Sequence, residues 1–161
     1  MLTLLERVRD WWQARRTQQI TPEAVRKRVQ RGATYLDDFD PGWHRRVDSE
    51  TLELDDGQHC ILGQLHGEFR LGLGRSHLIS MSSAPRASLS PVAYGFKCVE
   101  NVPEDWQALD YELLNTAWSK AVRTRQEADA ALNGKTHPAG SGDSIPDAPV
   151  AVDPSSPERV A

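Results

Sequence analysis

Cys60 stands next to His59 and six residues before His66, in the stretch HCILGQLHGEF, and a thiol between two imidazoles is the raw material of more than one chemistry. A cysteine whose proton is taken by a histidine, or whose thiolate is favoured by a helix N-terminus, is a nucleophile for acyl transfer. Cysteine and histidine together also hold zinc. As a nucleophile, Cys60 would draw on His44, His66 or His77 as its base, so a cysteine-dependent hydrolase centred on Cys60 is the catalytic alternative. No recognisable hydrolase signature surrounds it. A zinc site needs three or four suitably spaced ligands, and the chain has neither Cys-x-x-Cys nor His-x-x-x-His. Asp37, Asp38, Asp40, Asp55 and Asp56 lack the alternating ligands of a calcium loop and read as helix ends and turns. No metal, cofactor or catalytic residue is therefore assigned.

The element that carries Cys60 favours packing over chemistry. The spacing predicts a helix over residues 58–70, on which Ile61, Leu62, Leu65 and Phe69 share one face while Cys60, Gly63 and Gly67 share the opposite one. Bulky residues on one side and small ones on the other describe a central helix that lets another backbone come close. His59 and His66 lie two turns apart, about 10 Å along the axis, too far to bind one metal from this helix alone.

Two further groups of residues could make contacts rather than reactions. Residues 1–31 hold eight basic and three acidic groups, a balance of +5, whereas the remaining 11 basic and 20 acidic groups give −9. A basic head of this kind attracts polyanions or docks on its own acidic body. Arg26, Lys27, Arg28 and Arg31 on one helix, with Arg15 and Arg16 on its neighbour, form the candidate nucleic-acid stripe. Their bland reading is a solvated helix face. Trp11 and Trp12 are the candidate partner-binding residues, with completion of the core as their bland reading.

The elements that must position these groups follow from apolar period and punctuation. Leu4, Leu5, Val8, Trp11 and Trp12 recur at helical spacing, giving an amphipathic basic helix within residues 1–20. Thr21-Pro22-Glu23 is a helix start, followed by the stripe Val25, Val29, Gly32/Ala33 and Leu36, which ends at Asp37 to Asp40 and the turn Pro41-Gly42. From Trp43 to Leu54 the pattern weakens, with Val47, Leu52 and Leu54 as the inward residues of a short helix or an irregular connection. Residues 71–90 form a polar link, and Ser90-Pro91 starts a short helical turn through Val92 and Phe96. The longest helix begins after Pro103, with Trp106, Leu109, Leu113, Leu114, Ala117, Trp118, Ala121 and Val122 on its stripe and Asn133-Gly134 as its stop. Residues 134–161 contain five of the ten prolines and no aromatic residue, and read as a disordered tail.

The fold expected from this is all-α: a compact bundle of four or five helices, with an N-terminal helix in 1–20, a helical domain over 21–133 and the tail over 134–161. At 161 residues, 39% of them apolar, the chain suits one core, and no apolar run is long enough to cross a bilayer. The N-terminus carries no secretory signal, so a cytoplasmic setting is expected, with both cysteines reduced.

The runs RVQRGATYLDDFDPGW, VDSETLELDDGQHCILGQLHGEF, YGF and YELLNTAWSKAV together resemble an uncharacterised family of small proteins of actinobacteria and their bacteriophages. The resemblance spans about residues 25–122 and rests on the Pro-Gly-Trp turn and the Cys-(Ile/Val)-Leu-Gly-Gln-Leu helix. It implies an actinobacterial or phage setting, and brings no activity or catalytic residue. Some members carry further cysteines where this chain has Gly57, Gln58 and His59.

Four functional readings follow. The first is a non-enzymatic helical interaction protein, an accessory factor that binds a host or phage macromolecule, most simply a protein. The second is nucleic-acid binding through the basic helix 22–36, and the third is the Cys60 hydrolase. The fourth, ranked below docking on the body, is attachment of residues 1–16 to a membrane surface. Association of copies of the chain through the N-terminal helix also stays open.

Overall fold

The computed structural model describes residues 4–78 and 90–135. Among these, every regular element is helical, as the apolar periods require: α1 (Leu4–Thr17), α2 (Pro22–Phe39), a 3₁₀ turn (Trp43–Arg46), α3 (Ile61–His66), α4 (Phe69–Arg75) and α5 (Glu104–Lys135). Residues 79–89 of the expected link and residues 136–161 of the expected tail lie outside the described residues.

The frame is α2 laid against α5. At the start of α2 the Thr21 hydroxyl accepts the Ala24 N–H at 3.2 Å, and Pro22 occupies the first turn, where a missing N–H costs nothing. Its buried face holds Val25, Val29, Gly32, Ala33 and Leu36, and also Arg28. On α5 the fully buried line is Asp110, Leu114, Trp118 and Val122, one residue per turn. Trp106 and Leu109, expected on that line, are partly exposed instead. The two helices close at Gly32, where a Cβ would lie 2.9 Å from Cζ2 of Trp118 and 2.1 Å from the Tyr94 carbonyl oxygen. Nor does Asn133-Gly134 stop α5, which runs on to Lys135.

The irregular connection after α2 adds the rest of the core. Val47, Leu52 and Leu54 are buried as expected, and so is Trp43, whose ring meets Trp118 edge-on at 5.8 Å. Its indole N–H donates to Asp37 at 2.9 Å. Phe96 stacks on the other side of Trp118 at 5.2 Å, brought there by a turn over residues 91–97 rather than by a helix.

The single helix expected over 58–70 is broken: α3 takes Ile61–His66, and α4 starts at Phe69 and runs to Arg75, so residues 71–75 of the expected polar link are helical. Gly67 takes φ +92, the left-handed region that ends α3, and its N–H bonds the Gly63 carbonyl at 2.7 Å. The close backbone approach expected at Gly63 is present, but the neighbour is the preceding turn: a Cβ there would be 2.4 Å from the Gly57 carbonyl oxygen. α4 folds back on α3, with Gly72 against Leu62.

Ion pairs tie α5 to the end of α2 and to the 3₁₀ turn. Arg125 holds Asp37 at 2.6 Å, while Arg45 and His44 hold Asp129 at 2.5 and 2.8 Å. The hydrogen bond from Arg125 keeps the Asp37 carboxyl below its ordinary value despite partial burial, and those from Arg45 and His44 bring Asp129 down to about 2. Both carboxyls thus have folded pKa values below their unfolded ones. On acidification the unfolded chain binds protons first, so the stability they contribute is present above about pH 4 and is lost as pH falls towards 2. Thermal unfolding followed by circular dichroism should show the midpoint falling through this window, with a shallower fall in an Arg45→Ala/Arg125→Ala variant.

Candidate interaction surface

Cys60 caps α3. Its sulfur accepts the Gly63 N–H at 3.3 Å, the role a serine plays at many helix starts, and only 1% of the residue is exposed. Burial pushes the thiol pKa up, the opposite of what a nucleophile needs. His59 pairs with Asp56 at 3.1 Å and His44 with Asp129, so neither is turned to the thiol. Cys60 also contributes to the lining of an open cleft of about 560 Å³, among apolar Leu54, Phe69 and Phe96 and charged Asp55, Arg70 and Lys97. Cys98 is also buried, its thiol likewise raised by burial. Among the described residues, no three metal-ligating side chains gather to hold an ion. A thiol reagent such as Ellman's should therefore modify the native protein roughly a hundredfold more slowly than free cysteine at pH 8, with both thiols reacting at once in denaturant.

The candidate basic stripe is rearranged by one correction. Arg28, read from its type as solvent-facing, is buried and bonds Asp110 at 2.9 Å, together with three backbone carbonyls. A guanidinium with its donors committed in this way is part of the core and leaves the set. Arg26, Lys27 and Arg31 are exposed, with Arg26 bonded to Glu23 at 3.4 Å. Lys27 and Arg31 line an open groove of about 500 Å³ with Gln30, Thr34, Tyr35, Asp38 and Tyr94. The sequence signal for Tyr35 was there, since it follows Arg31 by four and Lys27 by eight residues. Tyr94 comes from a distant turn and had no such signal. Lys120 of α5 lines a groove along the α2–α5 seam together with Arg26, a pairing with no local sequence signal.

α1 differs from every other long element in that none of its residues is buried. Leu4 and Leu5 are 80% and 82% exposed, and Trp11 and Trp12 are 53% and 52% exposed, so the two tryptophans do not complete the core. They meet edge to face at 5.1 Å, and the Arg15 guanidinium lies 5.3 Å from the Trp11 ring. Arg16 reaches the body, donating to the Asn101 carbonyl at 3.4 Å. The predicted residues thus fall into two surfaces: Trp11, Trp12, Arg15 and Arg16 on α1, and Arg26, Lys27 and Arg31 on α2.

No protein-family model, curated protein or solved structure matches the chain.

Proposed function

We propose that this is a non-enzymatic interaction protein in which a rigid helical body presents α1 as its binding element. The observation that supports it is the uncovered stripe of Leu4, Leu5, Val8, Trp11 and Trp12 on a helix with no buried residue. Exposed aromatic pairs of this kind supply large contact area at low entropic cost, which is why such residues dominate binding surfaces. The buried, pKa-raised Cys60 supports the non-enzymatic part. The resemblance adds an accessory role in an actinobacterial or phage setting and a cytoplasmic location to this proposal. The test is a photo-crosslinking residue placed at position 12, against one at position 120 of α5, in a whole extract of the source cell with its membranes retained. Adducts at 12 and not at 120 are expected; the reading falls if position 12 yields none.

The groove of Lys27, Arg31, Tyr35 and Tyr94 favours a second reading, polyanion binding by cations interleaved with aromatic rings. Titration of labelled duplex and single-stranded DNA at two salt concentrations decides it, using an Arg26→Ala/Lys27→Ala/Arg31→Ala variant. Arg28 is kept, because removing it would destabilise the body and imitate a binding defect.

A further inference from the structure

From the distribution of charge around α1 we infer that its partner is an anionic membrane surface, on which the helix lies flat. This rests on the reading of α1 as the binding element and gives that element an occupant. At 100° per residue, Trp11, Leu4, Val8, Trp12 and Leu5 fall within a sector of about 120°. Arg7 borders the sector on the Trp11 side, and Arg16 and Arg9 border it on the Leu5 side. Glu6 and Asp10 are on the back of the helix, with Gln13 and Thr17. Arg15 alone enters the sector, at its C-terminal end, where it lies against the Trp11 ring.

This pattern has a cationic rim on both sides of an apolar face, and its acids lie off that face, Asp10 reaching the rim only at Arg9, 3.8 Å away. A lipid surface matches each part: acyl chains take the leucines, the headgroup boundary takes the indole rings, and the phosphates take the arginines. The match to a second copy is poorer, because pairing two such faces would set arginine rims against each other. Nucleic acid would satisfy the arginines and leave five large apolar side chains in water. At 14 residues α1 is about 21 Å long and carries charge throughout, so it lies on a bilayer rather than crossing it. No helix among the described residues is long and apolar enough to cross. The chain's net charge is −4, so its summed charge does not draw it to anionic lipid, and binding should depend on the residues of α1.

The experiment is cosedimentation of the full-length protein with phosphatidylcholine vesicles containing about 30% phosphatidylglycerol, beside pure phosphatidylcholine vesicles, at low and near-physiological salt. The expected result is binding to the anionic vesicles that weakens with salt. It should fall by roughly tenfold or more in Trp11→Ala/Trp12→Ala, in Arg7→Glu/Arg9→Glu and on the neutral vesicles. Brominated acyl chains should quench the parent's fluorescence and not that of the tryptophan variant. No binding at low salt, or equal binding by the tryptophan variant, overturns the inference. So does tryptophan-dependent self-association or DNA binding without vesicle binding, although α1 would then remain the binding element. Absence of adducts at position 12 in the crosslinking experiment separates the failure of the broader reading from the failure of this one.

Discussion

Arg28→Ala is expected to cost about 3–5 kcal/mol of folding stability, a large share of the roughly 5–15 kcal/mol that a domain of this size possesses. Arg28 is 4% exposed and Asp110 fully buried. Arg28 Nε donates to the Val92 carbonyl at 2.9 Å and Nη2 to the Lys97 carbonyl at 2.9 Å, while Nη1 reaches the Gln19 carbonyl at 3.3 Å. The same fork grips both oxygens of Asp110 at 2.9 to 3.2 Å, and Asp110 also accepts the Val99 N–H at 2.8 Å. Truncation would leave a buried carboxylate without its cation and the Lys97 and Gln19 carbonyls without their donor, while the Val92 carbonyl would keep only the Gly95 N–H at 3.1 Å. Each unpaired group keeps its desolvation penalty, so the loss exceeds the net worth of the bonds themselves. Arg28→Lys should recover only part of it, because an ammonium cannot fork to a carboxylate and reach separate carbonyls at once. Replacing both ionic partners by apolar residues, often nearly neutral for an isolated buried pair, should still destabilise here, since the backbone groups of the 90–102 segment would stay unsatisfied. Urea unfolding of the three variants gives the ranking directly.

Trp118→Ala carries the second large effect, about 3–5 kcal/mol on the same assay. The ring is the hub between α2, α5, the 3₁₀ turn and the 91–97 turn: it stacks on Phe96, meets Trp43 edge-on and faces Gly32. Its N–H donates to the Gly95 carbonyl at 2.6 Å. Alanine would open a cavity that four elements would have to move to fill, and would orphan that carbonyl. Trp118→Phe should lie between, keeping most of the stacking and losing the hydrogen bond. Gly32→Ala should also destabilise, from the opposite direction, by forcing α2 away from both the ring and the Tyr94 carbonyl.

These sites mark where local pattern is a sufficient guide and where it is not. The start of α2 at Thr21-Pro22 and its stripe through Leu36 were legible because capping and helical period are local properties. The inward positions of Val47, Leu52 and Leu54 were legible from hydropathy alone. Arg28 was not, since its residue type argues for solvent and the group that overrides this lies 82 residues away. Trp43 was passed over because it sits just after a turn, in a segment with no period to place it. The break at Gly67 turns on a single positive φ, which a glycine permits without announcing, and the helical wheel drawn through it spread one face over two helices. For the candidate surface, sequence supplied the stripe and the arginines of α1. Whether anything covers that stripe is a tertiary fact with no local signal.

Unfolding of the Trp11→Ala/Trp12→Ala variant shows whether α1 stands outside the core. If α1 is a working face outside the core, urea denaturation should return a stability within about 0.5 kcal/mol of the parent, as for exposed positions generally. A loss of several kcal/mol, of the size that burial of two large aromatic rings would give, would mean that the chain itself covers these residues and would contradict the account.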